Sequence, residues 1–409
     1  ASRDGRSVAA KTGSLRRAHA QALSNVMAII QNKLQRATNP MKNTSIRMRS
    51  VIASLLAVAC IQSAWAQGYM GPKDMNDWSQ GPRCSMRDAK NPDLRFEVPC
   101  NDAQTMAFYE RSVVPNAVHH AKFDELERLY AQWDKGQERF GDGMRKSSML
   151  CRWISANWEY IDPRQGPEKV RVWQEMAKRS FLSRYAEAVY WRSAAWSARG
   201  DGFSDSVTKE GHQLFKERLN RGYELLNKIP SDLSNTPCWY SQKINMMLEL
   251  GLPTADIEAV YVEGTKRFPD DHNIYFSMSR VYSPMWRGDD EIYDRFVSNA
   301  VEKTKSFEGT SLYARLYWMV DHRNGLPFRD ELNSQPTWSK LRSAYLDMMQ
   351  KYPESVWNQN RFAAVTCRTK DSSLYRTLRA SLKGAFVEEL FNPGLRDTCD
   401  LKHKWQGKD

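Results

Sequence analysis

The chain has 409 residues, 41% hydrophobic and 26% charged, with 14 Trp, 17 Tyr and 15 Phe; that balance excludes a disordered chain and suffices for two or three domains or one long array. The net charge of +12 does not imply a nucleic-acid partner. Residues 1–66 hold 10 basic and 1 acidic side chain, so the other 343 carry 50 and 47, a balance of +3, with no basic stripe interleaved with aromatics.

Residues 1–40 read as an extension upstream of a start at Met41 or Met48, and are excluded from fold reasoning. Residues 41–66 have the order of a secretory signal: the basic Lys42, Arg47 and Arg49, an apolar run from Val51 to Cys60, then Ala64-Trp65-Ala66. Positive charge stays on the inner side, a short apolar helix enters the membrane, and small residues fit the peptidase. Cleavage is expected between Ala66 and Gln67, releasing a periplasmic or secreted protein. The apolar run is far shorter than the roughly 20 residues of a spanning helix, and no second such segment follows. An alternative is a lipoprotein anchored at Cys60, although Ala57 fits that processing box poorly.

Without Cys60, six cysteines remain, the even number that full pairing in an oxidising compartment requires. Cys84 with Cys100 and Cys367 with Cys399 are the shortest closures, leaving Cys151 with Cys238. No spacing resembles a metal site, and no cofactor is expected.

Residues 67–116 contain eight Gly or Pro, from Gly68 to Pro115, without a sustained period, and are expected as an irregular arm. From 117 to about 400 the apolar residues fall at helical spacing. Phe123, Leu126, Leu129 and Trp133 share one face; Trp173, Met176, Ser180 and Phe181 are read as another; Leu374, Leu378, Leu382 and Phe386 as a third. Gly251-Leu252-Pro253-Thr254 reads as a left-handed cap followed by a new helix. The expected fold is all-α.

Helix pairs recur. An apolar residue followed by Pro or an acid stands at Ile229-Pro230, Phe268-Pro269, Phe307-Glu308 and Tyr352-Pro353, in steps of 39, 39 and 45 residues. About 40 residues is the length of two antiparallel helices and their turns, so an array of stacked helical hairpins is expected, as a right-handed solenoid. Trp196 to Arg199-Gly200-Asp201 and Trp286-Arg287-Gly288-Asp289 form a second repeating element. In each, Gly can cap one helix and Asp can start the next.

Trp196, Arg199, Gly200, Pro269, Pro284, Trp286, Gly288 and Pro353 together resemble the motifs of a bacterial domain-of-unknown-function family of tetratricopeptide-like helical proteins, over roughly residues 117–390. The resemblance implies a helical scaffold and transfers no catalytic residue. The chain departs from that pattern at Arg287, where Gly is commoner.

Signatures of catalysis are sparse. His119-His120 with Asp124 is read as diverging rings rather than a ligand set; His212, His272, His322 and His403 are read as surface or capping residues. Neither a nucleophile elbow nor a Gly-rich phosphate loop occurs. Glu354-Ser355 matches the acid dipeptide of lytic transglycosylases, the enzyme alternative on a superhelical scaffold, but their downstream signatures are missing. Glu354 is read instead as the acidic first turn of a helix after Pro353. The expectation is a non-catalytic scaffold that binds a protein or peptide in the bacterial envelope. Most tryptophans are assigned to the core, and Trp191 is the candidate to line a groove.

Overall fold

The computed structural model describes residues 69–70, 82–87, 95–158, 161, 164–200, 202, 206–324, 337–382, 385–391 and 394–407. The signal segment, Cys60, the Ala66-Gln67 junction and Asp201 lie outside them. The described chain from Tyr69 forms one compact unit and is all-α apart from a small sheet at its start.

Residues 67–116 are more ordered than an irregular arm. Strands β1 (Tyr69–Met70), β2 (Arg83–Arg87) and β3 (Arg95–Pro99) form an antiparallel sheet in that order, with Cys84 opposite Val98. The Cys84–Cys100 disulfide crosslinks the end of this hairpin. Helical structure then begins at α1 (Asp102–Phe108), not at 117. Asn101 accepts from the Gln104 amide at 2.9 Å while the Gln104 side chain accepts from the Asn101 amide at 3.0 Å, a reciprocal capping box. A five-residue π-helical segment, Tyr109–Val113, leads into α2 (Val114–His119), so prolines and glycines between the elements masked an ordered start.

Helices α3 (Phe123–Lys135), α4 (Lys146–Asn157), α5 (Gly166–Met176) and α6 (Phe181–Arg199) follow. The expected α3 face is buried, with Phe123, Leu126, Leu129 and Trp133 at most 2% exposed. The face read through Trp173 and Phe181 crosses a helix boundary instead. Met176 ends α5 and is 46% exposed, while Ser180 caps α6 by accepting from the Leu182 amide at 2.9 Å. A serine at helical register can be a cap, and spacing alone does not separate the two.

Four helical hairpins then run in sequence: α7 (Lys209–Asn227) with α9 (Pro237–Glu249), α10 (Thr254–Arg267) with α11 (His272–Val281), α12 (Asp290–Glu308) with α13 (Ser311–Asn324), and α14 (Trp338–Lys351) with α15 (Val356–Cys367). The short α8 (Ser231–Ser234) lies within the first turn. Each apolar-Pro or apolar-acid dipeptide stands at the turn of its hairpin: Phe268 and Tyr352 are C-caps, and Phe307-Glu308 ends α12. Gly251 and Gly200 both have φ of +76°; Gly200 caps α6 as expected, though its ψ of 177° is extended and not left-handed helical, and a helix starts at Thr254. The chain ends with α16 (Ser372–Leu382) and α17 (Leu395–Lys402), joined to α15 through Cys367–Cys399. Cys151 of α4 pairs with Cys238 of α9, so the six described cysteines make the three expected pairs, as in proteins of oxidising compartments.

Helix α9 packs on α11 and α11 on α13, while α4 lies against α9 and α1 against α15. The N-terminal helices therefore reach both ends of the hairpin row. Two large apolar cores result, one in the hairpins and one around α2 to α6, and Met149, Tyr223, Trp239 and Trp357 pack against both. None of the described helices is long and apolar enough to cross a membrane.

Candidate functional site

The segment between α3 and α4 lies on the hairpin turns. Gly143 has φ +93°, and a Cβ there would lie 2.3 Å from the Tyr352 ring, so only glycine lets the loop approach this turn. Arg139 and Arg145 pair with Asp270, and Ser148 donates to Asp271. Asp102 reaches the next turn but one: it accepts from the Ser355 hydroxyl and from the Val356 amide at 2.9 Å, at the start of α15. Burial raises the pKa of Asp102 and of Asp271 despite these donors. The turn edge that an open array would offer to a partner is covered here by the chain's own loop.

Behind that edge stands a buried ionic cluster. His272, 2% exposed, lies 3.3 Å from Glu308, which also accepts from the Ser311 hydroxyl at 2.6 Å and from the Tyr352 hydroxyl at 2.8 Å. Burial works to raise the Glu308 pKa, but the hydrogen bond and charge of His272, then Arg315 and Ser311, outweigh it and hold the carboxyl well below its ordinary range. His272 is thus buried against Glu308 and is not a surface residue. His403 is buried too: it bonds Ser372 at 2.9 Å and the Cys367 carbonyl at 2.8 Å.

The two tryptophan-glycine motifs, about ninety positions apart in sequence, meet around one carboxylate. Glu249 is fully buried and accepts from Arg192 at 2.7 and 2.5 Å and from Arg280 at 3.2 Å. Arg280 lies 5.1 Å from the Trp286 ring centre. Burial would raise the Glu249 pKa; Arg192, then Arg280 and the Trp196 indole outweigh it and lower it. Arg199 lies over Trp196 at 5.3 Å. Gly288 is required by close approach, since a Cβ would lie 1.9 Å from the Tyr282 carbonyl oxygen, and Asp289 caps α12 by accepting from the Ile292 amide at 2.7 Å. Arg287, the departure from the family pattern, donates to the Leu252 carbonyl at 2.6 Å and so ties this turn to the start of α10. The motif residues hold helix ends together.

A third cluster is left without an acceptor. Arg152 of α4 makes no hydrogen bond or ion pair with any described residue. Its side chain is exposed, yet enough protein surrounds it that burial lowers its pKa, with Glu110 acting the other way. Arg361 of α15 lies between Trp318 and Trp357, at 5.0 and 4.9 Å from their ring centres, and its Nε is buried without a partner. Burial pushes its pKa down to about 10; Tyr345 and Asp142 oppose this, while the charges of Arg315 and Arg152 add to it. Arg315, 1% exposed, donates to the Asp142 carbonyl and leaves Nε and Nη1 unbonded.

Of the other expected positions, Trp191 is half-buried beneath the Arg221 guanidinium, 3.8 Å from its ring centre, so a cation covers the groove candidate. Pro269, Pro284 and Pro353 are exposed at turns, and the Pro269 carbonyl accepts from Tyr275 at 3.0 Å. Glu354 is exposed and precedes the α15 cap Ser355, so it stands just outside the helix whose first turn it was expected to occupy. The His119 and His120 rings meet edge to face at 4.9 Å instead of diverging, because His120 leaves the helix at its C-cap. Motif searching missed Arg152, Arg315 and Arg361. The available signal was a lone Arg in helices apolar on nearly every side, such as Cys151-Arg152-Trp153 and Arg361-Phe362-Ala363. No family model, curated protein or solved structure matches the chain.

Proposed function

We propose that the chain is an exported, non-catalytic scaffold that binds a protein or peptide in the bacterial envelope. The observation that carries this reading is the series of four helical hairpins, of which the second helices of the first three pack in turn on one another, the arrangement by which stacked two-helix units present extended binding surfaces. Its resemblance to tetratricopeptide-like proteins and a right-handed solenoid course belong to the same proposal. The three disulfides favour export. The enzyme alternative would place its acid at Glu354, which is exposed at a hairpin turn.

Affinity capture from an envelope extract tests the reading. One reproducible partner, together with a mature N-terminus at Gln67 by mass spectrometry, is the expected result. Recovery of no partner, or a glycan-cleaving activity abolished by Glu354→Gln, overturns it.

A further inference from the structure

The small sheet ends in an open edge. β3 is the last strand in the order, paired with β2 on one side and with no strand among the described residues on the other. The Cys100 amide donates to the Pro82 carbonyl at 3.2 Å, and backbone groups alternate in direction along an antiparallel ladder. Phe96 and Val98 therefore turn theirs toward β2, while Arg95 and Glu97 turn theirs outward. Pro99, which has no amide hydrogen, falls in the outward set, where proline costs the sheet no bond. Charges along the sheet are unevenly matched. The Glu97 carbonyl accepts from Arg83 Nη2 at 3.0 Å, which uses one of its two lone pairs, and the Glu97 carboxylate stands 3.8 Å from Arg83 Nε, with both side chains exposed. Arg95, by contrast, is set opposite Arg87, a like-charge cross-strand pair that disfavours the sheet. An edge with unpaired backbone groups is a template for another strand.

We propose that β3 pairs with β3 of a second copy of this chain, antiparallel about a two-fold axis at Phe96. In that register Arg95 and Glu97, the residues with outward amide and carbonyl groups, stand opposite each other and exchange backbone hydrogen bonds twice across the axis. The same register sets Arg95 of each copy opposite Glu97 of the other, so each arginine gains an opposite charge on the side away from Arg87. Moving the axis by one residue loses this match. Centred on Glu97, the strands oppose Glu97 to Glu97 and pair Arg95 with Pro99, which cannot donate; centred on Arg95, they oppose Arg95 to Arg95 and Glu97 to Asp93. Charge and backbone direction therefore select one arrangement. The pairing also limits itself, because Pro99 closes one end of the strand and Pro92 lies just beyond the other. The contact uses the same patch on both copies, so it closes as a dimer and does not extend into a filament. A strand from an unrelated protein would meet the same backbone groups without the reciprocal charges.

The test is sedimentation velocity of the full chain, disulfides intact, from about 1 to 200 μM, since two short edges make a small and weak interface with a Kd on the order of 10 to 100 μM. The expected result is a monomer–dimer equilibrium. Hydrogen exchange at the Arg95 and Glu97 amides should slow as the dimer forms, whereas Val98, already bonded to β2, should exchange slowly at every concentration. Arg95→Glu and Glu97→Arg should each weaken the dimer about tenfold or more, because each sets like charges opposite one another twice. An equimolar mixture of the two variants should associate again, as a heterodimer in which both facing pairs are of opposite charge. Arg95→Glu also removes the like-charge pair with Arg87, so its loss of association cannot be put down to a weakened sheet. If Glu97→Arg, deprived of its bridge to Arg83, does not fold, Arg95→Glu and the exchange measurement carry the test. A chain that stays monomeric throughout, a dimer indifferent to Arg95→Glu, a mixture that associates no better than its parts, or growth beyond a dimer overturns the proposal.

Discussion

Two arginine clusters face the interior and are treated in opposite ways. Around Glu249, two guanidinium groups from α6 and α11 close on one carboxylate, and the Trp196 and Trp286 motifs stand beside them. Around Arg361, the aromatic rings are present, and no carboxylate among the described residues is bonded to it. Burying a charge with its partner converts a solvation cost into orientation; burying it without one leaves an unmet demand that a ligand can satisfy. The same residue types thus fasten helices through an ion pair in one place and through stacking alone in the other.

The strongest way to break this contrast is to remove the carboxylate that closes the first cluster. Glu249→Ala takes from Arg192 and Arg280 the carboxylate they share, leaving Arg280 its 2.7 Å bond to Asn245 Oδ1, and the expected loss is about 3 kcal/mol. Urea unfolding under non-reducing conditions should show the midpoint falling at constant slope. An unchanged midpoint would mean that the cluster is ornamental and that pairing does not distinguish the two sites.

Acid sharpens the contrast at a third cluster. The folded pKa of Glu308 lies below its unfolded value of 4.5, so its stabilisation is present above about pH 4.5 and is lost as pH falls toward the folded value. Asp102 and Asp271, raised by burial, act with the opposite sign, because their protonated forms suit the fold better. Measuring the unfolding midpoint between pH 5 and pH 3 in wild type and in Glu308→Gln separates the two. The wild type should lose on the order of 2 kcal/mol more than the variant across that range. Parallel curves would show that His272 and Arg315 do not stabilise the charged carboxyl.

How far these clusters could be foreseen depends on the range of the interactions that build them. Helix starts and stops are local chemistry, and Gly251, Asp289 and the Phe268-Pro269 turn are visible as such in the chain. The three disulfides follow from counting because six cysteines and two short closures leave a single remaining pair. By contrast, Arg361 lies between Trp357 of its own helix and Trp318 of α13, a meeting across two helices that no periodicity reports. The same holds for Asp102 at the cap of α15, where a residue expected in an irregular arm completes a distant turn. His272 illustrates the reverse error: a polar residue near a helix start resembles a surface cap until Glu308 is brought beneath it.

Gly288→Ala should have a smaller effect than either change above. The added methyl group meets the backbone carbonyl of Tyr282, which cannot swing aside as a side chain would, so the turn carrying Trp286 must shift. A loss of about 1 to 2 kcal/mol is expected, with retention of the far-ultraviolet helical signal. The corresponding change at Gly200, where nothing lies within 4 Å of the added carbon, meets only the φ of +76° and should cost about 1 kcal/mol. Equal losses at the two positions would show that backbone conformation, not crowding, fixes glycine in both copies of the motif.

The smallest expected effect on stability is the one that separates the two arginine clusters most sharply. Arg152→Gln removes a charge with no acceptor to abandon, so its unfolding midpoint should stay within about 0.5 kcal/mol of wild type or rise slightly. Arg192→Gln, by comparison, strips Glu249 of its main partner and should be clearly destabilising. Should Arg152→Gln instead unfold as readily as Arg192→Gln, Arg152 would be stabilising the fold without a bonded acceptor, and pairing would not be what distinguishes the two arginines.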